Sequence, residues 1–218
     1  MFLHTHPYSP FIPKNATKLI VGTLPPPRFS VKEFKEGDVN FSYGSRDGYL
    51  WPILDRIFSL NLAYKTTEEA IQQRKLFLSV YRIGICDIVA SAERENIDAS
   101  DLGMTNIKCR DLIFYLNENP SIETILFMGG NSKNGPEYLF RKQLKEKGIA
   151  LETISSEVPR EYQFKIGSRI IKTVSLTAPS GAANRAVGAI PEYKVLKKKH
   201  PNLNTIDFRV LQYINYFV

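Results

Sequence analysis

Short apolar runs alternate along this chain with longer stretches whose apolar residues recur at helical spacing. Lys18-Leu19-Ile20-Val21 is β-branched and aliphatic, and Pro25, Pro26 and Pro27 forbid it from continuing as a ladder, so a buried strand is predicted over 18–23. The same reading places strands over 83–89, 123–128, 149–154, 162–166 and 170–176, with Gly167-Ser168 as the turn of a hairpin. Trp51, Leu54 and Phe58 lie on one face of a predicted helix. Further helices are expected from the Thr66-Thr67-Glu68-Glu69 cap to 77, and over 106–116, 136–147 (stopped by Gly148), 191–200 and 205–217. Residues 1–17, rich in Pro and aromatics, read as an extended arm, and 29–43 as a long loop. Strands alternating with helices imply an α/β chain, a three-layer α/β/α sandwich with a mainly parallel central sheet.

Length and composition narrow the setting. At 218 residues, with 43% hydrophobic and 23% charged residues, the chain is expected to form one domain with a full core. No apolar run approaches the roughly 18 residues that span a bilayer, so no membrane partner is expected. Cys86 and Cys109 are too few for a disulfide framework and the N-terminus lacks the pattern of a secretory signal, which points to a cytoplasmic setting. A net charge of +7 favours a polyanionic partner. The Lys194 to Lys199 run is either an ordinary solvated helix face or a track for phosphates. Two Cys and three His at unrelated spacings make no metal motif, and no cofactor is expected.

Candidate chemistry gathers where strands end, because ligands of open α/β sheets collect beyond the carboxyl ends of the strands. Gly22, Thr23 and Leu24 leave the first strand, and Gly22 allows close backbone approach with N–H groups free to donate. Asp87 lies in an apolar run, either at the strand's exit facing a ligand or as a capping or solvated residue. The small-residue loop Thr177-Ala178-Pro179-Ser180-Gly181-Ala182-Ala183-Asn184-Arg185 follows the last strand and is similar in design to the first exit.

With these loops in hand the chain resembles the uracil-DNA glycosylase superfamily, and within it the mismatch-specific and hypoxanthine-DNA glycosylase branches. The resemblance runs from Leu19 to about Arg185 and rests on four ordered segments: Val21-Gly22-Thr23-Leu24-Pro25-Pro26, the stretch from Tyr43 through Trp51 to Leu54, the stretch from Ile83 through Asp87 to Ser91, and Pro179-Ser180-Gly181-Ala182-Ala183-Asn184. It implies a monofunctional, cofactor-free enzyme, acting as a monomer, that flips a deaminated or mismatched base out of DNA and hydrolyses its N-glycosidic bond. By the resemblance, Tyr43 stacks on the flipped base, Gly22, Thr23 and Leu24 line its slot, and Asp87 reads its edge. Ser180 pins a flanking phosphate or probes the minor groove, and Asn184 and Arg185 follow into the DNA. The alternative for Tyr43 is an aromatic that anchors its loop.

Two departures bear on activity. The mismatch-specific branch has a catalytic Asn where this chain has Leu24, and the hypoxanthine branch has one where it has Gly48. Asp47, adjacent to Gly48, is either the residue that activates water or the N-terminal cap of the following helix. Competing readings are a catalytically silent DNA-binding relative, favoured by Leu24 and Gly48, and a small-molecule-binding α/β protein. Against the latter, Gly22-Thr23-Leu24-Pro25 carries neither a phosphate-binding loop nor a dinucleotide fingerprint.

Overall fold

A computed structural model of the chain describes residues 1–97 and 100–218. Nine strands are described: β1 (Phe2–Thr5), β2 (Lys18–Val21), β3 (Ile83–Ile85), β4 (Val89–Arg94), β5 (Thr105–Cys109), β6 (Thr124–Phe127), β7 (Glu152–Ser155), β8 (Arg160–Ile166) and β9 (Arg169–Ser175). The described helices are α1 (Leu50–Phe58), α2 (Glu68–Val80), α3 (Leu112–Glu118), α4 (Pro136–Glu146), α5 (Asn184–Ala189), α6 (Pro191–Lys199) and α7 (Thr205–Phe217).

Six strands form the main sheet in the order β3-β2-β6-β9-β8-β7. The pairs β3/β2, β2/β6 and β6/β9 are parallel, and β8 adds antiparallel to β9 across the expected Gly167-Ser168 turn. The period of two along each strand sorts the core. Leu19, Val21, Ile125 and Phe127 pack with Leu112 and Leu116 of α3 and with Phe140 and Leu144 of α4. Ile20 and Leu126 turn the other way, onto Leu50, Trp51 and Leu54 of α1, Phe77 of α2, and Tyr213 and Phe217 of α7. From β2 the chain steps to β3 on one side and then crosses to β6 on the other. The carboxyl end of β2 is therefore the switch point at which such sheets open a crevice.

Three expectations are corrected. The run 83–89 is not one strand: β3 ends at Ile85, Cys86-Asp87-Ile88 follows the exit of β2, and β4 joins a second, three-stranded sheet ordered β1-β4-β5. Cys86 N–H donates to Ile20 O at 3.0 Å and Ile88 N–H to Gly22 O at 2.9 Å, so the segment stays tied to β2 while its direction changes. The N-terminal arm is partly strand, with Phe2 to Thr5 antiparallel to β4. The helix expected over 106–116 begins only at Leu112, because Asp111 caps it by accepting from the N–H groups of Ile113 and Phe114. Residues 105–109 are instead an exposed edge strand.

Candidate functional site

A cavity of about 570 Å³ opens beyond the carboxyl ends of the parallel strands. Its wall brings together Gly22 to Pro26 from the exit of β2, Tyr43 to Tyr49 before α1, Asp87 from the exit of β3, Met128 from the exit of β6, and Ala178 to Ala182 from the exit of β9. These loops are stitched to one another. Tyr49 N–H donates to Pro179 O at 2.8 Å beside an isolated bridge between Gly48 and Ser180. Arg209 of α7, fully buried and, among the described residues, without a carboxylate partner, holds the Ala178 to Asn184 loop from behind. Its guanidinium donates to Ala178 O and Ser180 O and to Asn184 Oδ1, so carbonyl oxygens take the place of a counter-charge.

Asp87 is the best-connected polar group in this wall. Its Oδ1 accepts from Gly22 N–H at 2.7 Å and from the Tyr43 hydroxyl at 2.8 Å, and its Oδ2 lies 2.9 Å from His6 Nε2. Tyr8 N–H donates to His6 Nδ1, which must then carry a lone pair, so the imidazole proton sits on Nε2 and is donated to Asp87. Three donors converge on one carboxylate. Burial, and then the Asp87 charge, push the Tyr43 phenol well above its ordinary value and keep it a donor.

The backbone is shaped around this network. Tyr43 sits at φ 58°, a left-handed conformation that is uncommon for a bulky side chain and clusters at sites where surrounding contacts enforce it. Gly22 allows the approach: a Cβ there would stand 2.1 Å from the Tyr43 hydroxyl. With Gly22 N–H given to Asp87, the expectation that it is free to donate to a ligand is corrected. Among the described residues, the N–H groups of Thr23 and Leu24 have no protein acceptor and take over as the available donors. Leu24 is partly buried and packs on the core.

The other site residues separate. Asp47 stands on the rim with 69% of its side chain exposed, 3.5 Å from Arg28 Nη2. It does not cap α1, whose N-cap is Tyr49 with no side-chain bond, so the capping alternative is excluded. Arg28 is held mainly by buried Asp38, which also accepts from Lys35 and Arg46 N–H and so fixes the base of the Tyr43 to Tyr49 loop. Asn184 is turned inward: its Oδ1 accepts from Thr205 Oγ1 and Arg209, which takes that oxygen out of reach of a DNA strand. Arg185 is exposed, and Ser180 is half-buried at the cavity wall.

Sequence reasoning missed His6, Arg209 and Asp101. Asp101, from the turn before β5, accepts from Thr23 Oγ1 at 2.7 Å and lines the cavity. His4 and His6, at alternate positions of the N-terminal segment, are both buried, which their sequence context did not mark. Among the described residues, no group of three or more His, Cys, Asp or Glu could hold a metal, and no helix is long and apolar enough to cross a membrane.

No protein-family model matches the chain, and no curated protein matches it in sequence. The fold is similar to a solution NMR structure from Methanosarcina acetivorans described as a "putative Uracil DNA glycosylase", with a TM-score of 0.57 over 99% of this chain and 97% of that one, at 16% identity. At that identity the likeness shows a shared fold.

Proposed function

We propose that this chain is a DNA glycosylase that hydrolyses the N-glycosidic bond of a flipped deaminated or mismatched base, of the uracil or hypoxanthine class. The observation that carries the reading is the convergence of all four matched segments on one cavity at the switch point of the sheet, in the size range of small-ligand pockets. In this reading the main sheet, with α1, α2 and α7 on one face and α3 and α4 on the other, is the core of a three-layer α/β/α sandwich, and the protein works as a cytoplasmic monomer without a cofactor.

The base stacks on the Tyr43 ring, whose orientation is fixed by the bond to Asp87. The Thr23 and Leu24 N–H groups donate to a base carbonyl, and the one lone-pair direction left on Asp87 accepts from a base N–H. Uracil and hypoxanthine both present that pair of groups. Arg185 and the exposed lysines of α6 meet the phosphates outside, with Ser180 at the wall between them.

A second reading, a silent DNA-binding relative, draws on Leu24, which packs on the core, and on Gly48, which has no side chain. One panel separates the two. Uracil-, hypoxanthine-, xanthine- and mismatch-containing oligonucleotides, single- and double-stranded, are incubated with the protein and then treated with alkali. Strand scission at a uracil or hypoxanthine is the expected result. Salt-sensitive binding with no scission selects the silent relative, and no binding at low salt removes DNA altogether.

A further inference from the structure

Behind the cavity lies a second chamber of about 330 Å³, beyond the ends of β6 and β9, and Asp101 lines both. Among the described residues three carboxylates face the main cavity, and they differ in what remains of their acceptor capacity. Asp87 already accepts from three donors. Asp47 is exposed to bulk water on the rim. Asp101 is fixed at one oxygen and open at the other: Oδ1 accepts from Thr23 Oγ1 at 2.7 Å, and among the described residues nothing donates to Oδ2. Its backbone is pinned as well, with Asp101 O accepting from Asn134 Nδ2 at 3.0 Å and from Met104 N–H at 3.2 Å.

We propose that Asp101 holds the attacking water at the junction of the two chambers and takes its proton, which supplies the function left vacant where the related branches carry Asn. The inference rests on the glycosylase reading above. As the water oxygen bonds to the anomeric carbon, its proton passes to the Asp101 carboxylate and the C–N bonding pair leaves with the base. The base then takes a proton from solvent and Asp101 returns one, so the net change is addition of water across the bond and no oxidant or cofactor is needed.

The surroundings suit the role. Burial pushes the Asp101 carboxyl up to about 6, against the Thr23 hydroxyl and the Arg94 charge, which lower it, while the Asp87 charge adds to the rise. Arg94 belongs to β4, Asp87 and Thr23 to the exits of β3 and β2, and Asn134 to the turn before α4. Arg160, across the second chamber, is paired with Glu137. A base with a value near the working pH is the kind that transfers protons well.

The test is single-turnover excision between pH 5 and 8 by the wild type and by Asp101→Asn and Asp101→Ala, on the best substrate of the panel, with DNA affinity measured in parallel. The wild-type rate should fall as pH drops below about 6. Asp101→Asn should lose roughly 100-fold or more in rate, keep its DNA affinity and lose that acid limb. Wild-type rates in Asp101→Asn, an acid limb that survives the substitution, or a wild-type rate that falls above pH 6 instead, each overturns the proposal. If neither variant folds, the wild-type profile alone still decides, since a flat rate across that range is incompatible with a carboxylate base of this value. A wild type that excises nothing from any oligonucleotide defeats the glycosylase reading itself, whereas an active wild type matched by Asp101→Asn defeats only this inference.

Discussion

Asp87 and Asp47 reach the same cavity from different ground. Asp87 is 6% exposed and surrounded by His6, Gly22 and Tyr43 from three separate segments, while the Asp47 side chain is 69% exposed with a single long contact to Arg28. One residue type therefore has two roles, and its neighbours decide which. A carboxylate whose lone pairs are taken by protein donors fixes the geometry of its donors, here the Gly22 turn and the Tyr43 ring. A carboxylate on an open rim has free lone pairs, but water screens its charge and competes for every bond it makes.

The sharpest way to break this contrast is to remove the buried member. Asp87→Ala leaves the Gly22 N–H, the Tyr43 hydroxyl and the His6 Nε2–H without an acceptor, at a cost of about 3 kcal/mol. Urea unfolding measures it, and a loss under about 1 kcal/mol means that water replaces the carboxylate easily and that the network does not organise the wall. Next in size is Tyr43→Phe, which keeps the ring and deletes one bond to a charged acceptor, worth about 2 kcal/mol. If the ring needs that bond for its orientation, binding of DNA with a flipped-base analogue weakens as well. Stability lost with base capture intact assigns the hydroxyl to the fold alone.

Asp101 lies between these extremes and gives a prediction with a sign. Its folded-state carboxyl titrates near 6, above the value it has in the unfolded chain, so its contribution to stability is fully present at low pH and is lost as pH rises through about 6. Asp101→Asn, which removes the buried charge, should therefore raise the melting temperature relative to wild type at pH 8 more than at pH 5. A difference that does not change with pH removes the buried, raised carboxyl from the account. Stability gained together with activity lost is the pattern of a group kept for chemistry.

Local pattern made much of the sheet and its flanking helices legible, because β2, β6, β9, α1, α4 and α7 each carry a full period of apolar residues. The second sheet was not, for a physical reason. β5 is an exposed edge strand, and β4 continues an apolar run that began in β3, so periodicity alone had no break to mark. Within the site, the loops at the strand exits were legible because their residues are consecutive. The groups that hold those loops were not, since His6 meets Asp87 across 81 positions, Asp101 meets Thr23 across 78, and Arg209 meets Ala178 across 31. Nothing in a single sequence links residues that far apart. Asn184 is the complementary case: a polar residue in a matched segment whose side-chain oxygen the fold also uses internally.

The smallest expected effect belongs to the rim. Asp47→Ala gives up one long contact to an Arg28 that keeps its two bonds to Asp38, so stability should change by less than about 0.5 kcal/mol. Its kinetic consequence is the informative part. If Asp101 is the base, Asp47→Ala retains the acid limb and most of the single-turnover rate. If the glycosylase reading holds, DNA affinity should rise slightly at low salt, because a negative charge has left the cavity rim, and the gain should fade as salt screens the remaining charges. A rate that collapses in Asp47→Ala while Asp101→Asn stays active would reverse the assignment, placing the water at the rim and leaving Asp101 as a support for Thr23.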